Sequence, residues 1–158
     1  MEIEKKYLVD QIPDNLGQYD KWDLEQCYLC EHPAIRIRRK NDEYILTYKN
    51  RPKDSGDGDN PLCLAQEIEA SLTKAAYEHL KEKADGVCII KTRYRIPFKK
   101  YMIELDLFHG DYDGFCLAEV EFSSIEDGRN FTPPNWFGKD VSGDIRYSNS
   151  YMALNSDK

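Results

Sequence analysis

No apolar run in this 158-residue chain approaches the roughly 20 residues that cross a bilayer as a helix. Basic residues are not in excess either: 22 Lys and Arg stand against 29 Asp and Glu, for a net charge of −7 and a pI near 5.0. That balance excludes a surface that wraps duplex nucleic acid or binds an anionic membrane, so any anionic ligand must be drawn by a local group of cations. A disulfide framework is not expected, because the five cysteines are odd in number and only Cys27 and Cys30 form a C-x-x-C pair. On an extended segment residues three apart face opposite ways, so the pair reads as two buried thiols and not as half of a zinc site. Histidine is scarce, and His32, His79 and His109 fall beside turns or on a helix, where surface positions are expected. The charged start, Met1-Glu2-Ile3-Glu4-Lys5-Lys6, does not read as a signal peptide, and a cytoplasmic location is the expectation.

What the chain has in quantity is strand pattern. Residues 1–158 show no internal repeat and no compositional break, which predicts one domain. Strand-like runs occupy residues 2–9, 25–29, 34–39, 44–49, 64–71, 87–96, 101–108 and 115–122. One long connection rich in turn formers interrupts them at residues 53–61. A helix capped by Ser71 or Thr73 is expected through Lys83, stopping near Gly86. A shorter helix follows Ser123-Ser124, and a last turn is expected at residues 149–154.

Alternate residues on a strand share a face. By that rule Glu2, Glu4 and Lys6 point one way, as do Arg36 with Arg38, Thr47 with Lys49, Glu67 with Glu69, Lys91 with Arg93 and Arg95, Glu104 with Asp106, and Glu119 with Glu121. The opposite phase is apolar, with Ile35, Ile37, Leu46, Ile103, Leu105 and Val120 among its members. A half-solvated sheet explains charge alternation on any single strand. It does not explain acidic and basic doublets that alternate from strand to strand. If the sheet curls with the charged face inward, seven cations and eight carboxylates share one interior, which must then be wet and built around an ionic ligand. Two divalent cations of about +4 together, with a triphosphate of about −4 to −5, would bring it near neutrality. Hard carboxylate oxygens suit Mg²⁺ or Mn²⁺, and guanidinium forks with ammonium groups suit phosphoryl oxygens. An outer-membrane barrel also has an apolar outside and polar inside, but the charged start, the polar helix between strands and the off-phase Lys5 argue against it.

These blocks resemble the CYTH domain, or triphosphate tunnel metalloenzyme, family along essentially the whole chain. The hallmark E-x-E-x-K stands as Glu2-Ile3-Glu4-Lys5-Lys6. It is followed in family order by Ile35-Arg36-Ile37-Arg38, Leu46-Thr47-Tyr48-Lys49, Glu67-Ile68-Glu69, Lys91-Thr92-Arg93-Tyr94, Glu104-Leu105-Asp106, Glu119-Val120-Glu121 and a closing Gly143-Asp144-Ile145-Arg146-Tyr147-Ser148-Asn149. The resemblance implies a mainly β (α+β) fold, a closed eight-stranded antiparallel barrel with a few peripheral helices. It implies metal ligation by Glu2, Glu4, Glu119 and Glu121 with two Mg²⁺ or Mn²⁺ ions. Lys6, Arg36, Arg38, Lys49, Lys91 and Arg93 would line the phosphate path, with Arg146 either reaching the phosphates or tying down the last segment. Glu4, Lys6, Arg38, Glu69 and Asp106 are the expected catalytic group. Arg95 continues the phase but could equally form a rim salt bridge, and Trp136 with Phe137 reads as a plug on one barrel end.

The implied activity is hydrolysis of a small triphosphate, inorganic tripolyphosphate ahead of nucleoside or thiamine triphosphates, with water attacking the terminal phosphorus. Two alternatives remain open at this point. One is an adenylate cyclase of the same architecture, which would turn ATP into cyclic AMP and pyrophosphate. The other is a non-catalytic module that holds polyphosphate.

Overall fold

The computed structural model describes residues 2–50 and 63–156, so the turn-rich connection expected at residues 53–61 lies outside the described residues. The described residues contain nine strands: β1 (Glu2–Val9), β2 (Asp20–Cys30), β3 (Ala34–Lys40), β4 (Glu43–Asn50), β5 (Cys63–Leu72), β6 (Asp85–Phe98), β7 (Tyr101–His109), β8 (Cys116–Glu121) and β9 (Phe137–Asp140). They form one sheet in the order β5-β4-β3-β2-β6-β7-β8-β1-β9. A further antiparallel ladder of three residue pairs, Glu2↔Ala65 to Glu4↔Cys63, joins β5 to β1 and makes a ring of the first eight strands. The ninth strand is a departure from the eight expected. It pairs with β1 at Tyr7↔Asp140 and Val9↔Phe137, on the edge that β5 has left free. Its four residues, Phe-Gly-Lys-Asp, are too short to show alternation.

The helices obey their capping signals. Helix α1 (Lys74–Lys81) starts where Thr73 Oγ1 accepts from the Ala76 amide at 3.1 Å. Helix α2 (Ile125–Asn130) starts at Ser124, and α3 (Asn149–Leu154) at Ser148, each with the same type of cap. None is long and apolar enough to cross a membrane.

Apolar side chains gather in three places. Tyr77 of α1 closes over Cys27 and Ile37 on the outside of β2 and β3. An aromatic layer of Tyr7, Phe122, Phe131 and Phe137 covers the outer face of β1 and β6–β8, together with Ile103, Leu105 and Val120. The third group, Tyr28, Ile89, Phe108 and Leu117, lies in the same phase as Gln26, Lys91, Asp106 and Glu119 and therefore points into the ring. Met152 and Ala153 of α3 pack onto it. The interior is thus stoppered by α3 on the side of β6–β8. Trp136 and Phe137, expected to plug an end, instead pack on the outer layer, because Phe137 follows Tyr7, an outward residue.

The cysteine expectation is also corrected. Cys27 is disulfide-bonded to Cys88, while Cys30 remains a free thiol. The two partners are 61 residues apart in sequence but lie on the paired strands β2 and β6, a proximity that spacing along the chain does not reveal.

Gly86, expected to end a helix, lies inside β6 with φ +62°, and a Cβ there would stand 2.1 Å from the Ala153 carbonyl oxygen. Its missing side chain is what lets α3 approach the barrel. Gly86→Ala is expected to lower stability by about 1–3 kcal/mol from the backbone conformation alone, with the clash in addition. Denaturant unfolding would measure it; an unchanged midpoint would show that α3 does not need this contact.

Candidate active site

Inside the ring is a cavity of about 1100 Å³. Of the charged residues assigned inward from the sequence, all but Arg95 and Asp106 line it. The alternation rule explains this directly, since β1, β3, β4, β5, β6, β7 and β8 each present alternate side chains to the same space.

On the β6–β7 wall the charges are mutually compensated. Asp106 is fully buried and takes Arg93 as a bidentate partner, at 2.7 Å from Nε and 2.9 Å from Nη2. Lys91 Nζ lies 2.8 Å from the same carboxylate. Burial alone would raise the Asp106 pKa, but Arg93 and Lys91 outweigh it and hold the group below its ordinary value. The same cations, with Lys6, depress Glu119, whose oxygens stand 3.7 Å from Lys6 Nζ and 3.7 Å from Arg93 Nη2. Burial pushes Lys91 down to about 8 despite Asp106.

The sheet places like charges opposite one another along β1, β8 and β7. Glu4 pairs directly with Glu121, and Glu119 with Glu104, an arrangement that is destabilising in a plain sheet. Burial and then the neighbouring Glu119 raise Glu4 above its ordinary value. Burial, with Glu2 and Glu104, raises Glu121, and burial raises Glu104. Glu2 is ion-paired with Lys49, which also lies 3.9 Å from Glu67.

On the β3–β4 wall there is an excess of donors. Among the described residues, Arg36 Nε, Arg38 Nε and Thr47 Oγ1 are buried with no hydrogen-bond partner. Arg38 reaches Glu69 only at 3.9 Å. Burial and then the repulsion of Arg36 and Arg93 lower Arg38 to about 10, which leaves it cationic at neutral pH. Buried polar groups are normally satisfied, so three orphaned donors on one wall mark where an acceptor-rich ligand would sit.

The hard oxygen donors fit a divalent cation. No three His, Cys, Asp or Glu among the described residues are gathered into a ready metal cage. Mg²⁺ does not require one, since it keeps several waters and is commonly held by one or two carboxylates with substrate phosphates. Burial, and then repulsion from neighbouring carboxylates, raises Glu4 and Glu121, and both costs are ones such an ion would relieve.

Other sequence expectations meet different fates. Arg146 does not line the cavity; it pairs with Asp144 through Nε at 3.0 Å and Nη2 at 2.7 Å on the exterior. Arg95 lies over the Trp22 ring at 4.8 Å, where a rim salt bridge was one expectation. His32 lies on the rim with its side chain 77% exposed, and His109 meets Thr92 Oγ1 at 2.8 Å. Trp22, Gln26, Tyr28 and Asn149 line the cavity as well; in the sequence Asn149 stands only as a member of the closing block and Tyr28 reads as a strand-packing tyrosine. Gln26 and Tyr28 could have been found by extending the alternation through β2, but as uncharged residues they carried no contrast against their neighbours.

Replacing Asp106 by Asn would remove the carboxylate that Lys91 and Arg93 both contact most closely and leave only the longer contacts to Glu104 and Glu119, an expected cost of about 3–5 kcal/mol in urea unfolding. A carboxylate with a depressed folded-state pKa stabilises above its unfolded value and loses that contribution as pH falls through the folded value. The difference between wild type and Asp106→Asn should therefore narrow on acidification below about pH 4 and stay constant above it. A difference that is independent of pH would refute the ion cluster.

No protein-family model matches the chain. An inorganic triphosphatase of Nitrosomonas europaea is 35% identical over 158 residues, 97% of each chain. One of Acetivibrio thermocellus is 30% identical, covering 98% of this chain and 94% of that one. The crystal structure of the inorganic triphosphatase NE1496 matches with a TM-score of 0.70 at 34% identity, over 98% of this chain and 95% of that one. The Hippeastrum protein HpAC1 shares the fold alone, with a TM-score of 0.61 at 18% identity over 82% of this chain and 83% of that one. With its inward-facing charges arranged as described, the chain belongs to the CYTH-like family of inorganic triphosphatases.

Proposed function

We propose that this protein is a triphosphate tunnel metalloenzyme that uses Mg²⁺ or Mn²⁺ to hydrolyse inorganic tripolyphosphate to phosphate and pyrophosphate. The observation that carries the reading is the division of a single cavity into facing walls, one with orphaned cationic donors and one with carboxylates that repel each other. A polyanion with bound divalent cations complements both walls at once; a bare anion or a bare cation complements only one.

In this reading Arg36, Arg38 and Thr47 donate to phosphoryl oxygens from β3 and β4. Lys6, Lys49, Lys91 and Arg93 neutralise the rest of the chain of phosphates. Glu2, Glu4 and Glu121, with Glu119, would hold the metal, which when bound supplies charge neutralisation at the phosphoryl oxygens. Water attacks the terminal phosphorus, the bridging P–O bond breaks, and the departing pyrophosphate keeps the electron pair against the Arg and Lys groups. Glu104 is suited to take the water's proton, because it lines the cavity and burial raises its pKa. Asp106 does not line the cavity, so its part is to position Lys91 and Arg93 and not to touch substrate. Glu69 stands at the mouth beside Arg38. Such catalysis is positioning and electrostatics and needs no covalent nucleophile.

An inorganic substrate is favoured over a nucleotide by the state of the cavity's aromatic residues. Trp22 carries Lys40 Nζ at 3.4 Å from its ring centroid and Arg95 at 4.8 Å, and Tyr28 is only 3% exposed, buried in the inner apolar cluster. Neither presents an unengaged ring on which a base would stack.

Phosphate release from tripolyphosphate is expected with Mg²⁺ or Mn²⁺ and abolished by EDTA, with slower release from ATP and no cyclic AMP. Tight binding of tripolyphosphate without turnover would leave a binding module, and cyclic AMP from ATP a cyclase. Arg38→Met is expected to lower kcat/KM about 30- to 900-fold, the equivalent of about 2–4 kcal/mol of transition-state binding. Glu4→Gln should nearly abolish turnover and also the rise in Tm on adding Mn²⁺; near-full activity at saturating metal would remove Glu4 from the site.

A further inference from the structure

The geometry points to Asn149 as a positioning residue of the tunnel, one that fixes the Lys91 ammonium and the Gln26 amide from the first turn of α3. The role assigned to Lys91 as a phosphate ligand rests on the proposed function; the contact itself does not.

Asn149 is 9% exposed, and its Oδ1 accepts two hydrogen bonds, from Lys91 Nζ at 2.9 Å and from Gln26 Nε2 at 3.0 Å. Gln26 donates in turn to the Tyr28 hydroxyl. One side-chain oxygen from the C-terminal segment therefore ties β2 to β6 inside the cavity. Two residues earlier on the segment, the Tyr147 carbonyl accepts from Lys6 Nζ of β1 at 3.0 Å. Two of the tunnel's lysines thus take acceptors from outside the eight-stranded ring. An ammonium has three N–H donors. On Lys91 one goes to Asp106 and one to Asn149, which leaves the third for a ligand in the cavity that Lys91 lines.

The surroundings of Lys91 define what Asn149 adds. Asp106 faces it from β7, Glu119 acts on it from β8, and Arg93 lies two residues along β6. The Phe108 ring stands 5.5 Å from Nζ, and Leu24 is its cross-strand partner on β2. Beside the two carboxylates and the face of the Phe108 ring, Asn149 supplies a neutral oxygen that accepts from the charged lysine in its buried setting. A hydrogen bond to a charged group typically exceeds one to a neutral group, so its loss should be visible as a titration change of about one pH unit.

The test uses three full-length proteins: wild type, Asn149→Leu and Asn149→Asp. The Lys91 ammonium is titrated by heteronuclear NMR of the lysine side chains, with Lys91→Met for assignment. Loss of the acceptor in Asn149→Leu is expected to move the titration down by about one pH unit, and the carboxylate of Asn149→Asp to move it up. With tripolyphosphate and Mn²⁺, the alkaline limb of kcat/KM should move in the same two directions, while Asn149→Asp raises KM through its added negative charge. A merely structural role would lower Tm and turnover in both variants without opposite movements. Coincident titration curves in the three proteins would overturn the inference. Because the NMR result needs no turnover, an inactive wild type would sink the proposed function while leaving Asn149 to be decided by the titration.

Discussion

A fully buried carboxylate, Asp106, sets the terms for the rest of this molecule. Taking it out of water is expensive, and the structure offsets the cost with a two-point guanidinium contact and an ammonium on the neighbouring strand. Arg93 and Asp106 are direct cross-strand partners, so the antiparallel register itself supplies the pairing. The result is a wall in which Lys91 and Arg93 have fixed positions before any ligand arrives, and preorganised charges of this kind are effective on a polyanion. Glu119 extends the cluster toward Lys6 and so joins β1 to it.

The remainder of the interior behaves differently because its compensation stops short. Arg36 Nε, Arg38 Nε and Thr47 Oγ1 are buried without hydrogen-bond partners among the described residues, and the Glu4–Glu121 and Glu104–Glu119 pairs set carboxylates against one another. A protein selected for stability alone would have filled such positions with apolar side chains. Shifts in opposite directions within one cavity, Glu119 down and Glu121 up, express the same division in protonation terms.

Much of this was legible in the sequence because a strand has a period of two. Charged residues seen only as doublets on separate runs turned out to share one cavity, and the caps at Thr73 and Ser124 marked helix starts as capping rules require. Phase says which face a residue takes but not how far along the barrel it stands. For that reason Asp106 reads as a cavity residue although it is sealed behind Lys91 and Arg93, and Arg95 reads as its equal although it lies against Trp22. Contacts between distant segments left no trace at all. The Cys27–Cys88 bond, the seating of α3 against Gly86 and the reach of Asn149 to Lys91 each need the folded barrel to exist first. Arg146 belongs to a matching block with two expected roles, and block membership does not say which; it turns outward and pairs with Asp144 in its own segment.

These features make stability and ligand affinity two sides of one equilibrium. Repulsion among Glu4, Glu121 and their neighbours opposes folding of the ligand-free barrel wherever those groups are ionised. The sign follows from their raised pKa values, which favour the native state as pH falls toward them. Asp106 and Glu119 act in the reverse sense, favouring the native state as pH rises above the unfolded carboxylate range. Near neutrality the first group is therefore a liability that the second must carry, together with the aromatic layer outside and the α3 stopper within. A bound cation and polyanion would convert that liability into binding energy, because a ligand that binds only the native state stabilises it by mass action. The strain that lowers the stability of the ligand-free barrel is thus the same physical quantity that would make its interior selective for a metal-bearing chain of phosphates.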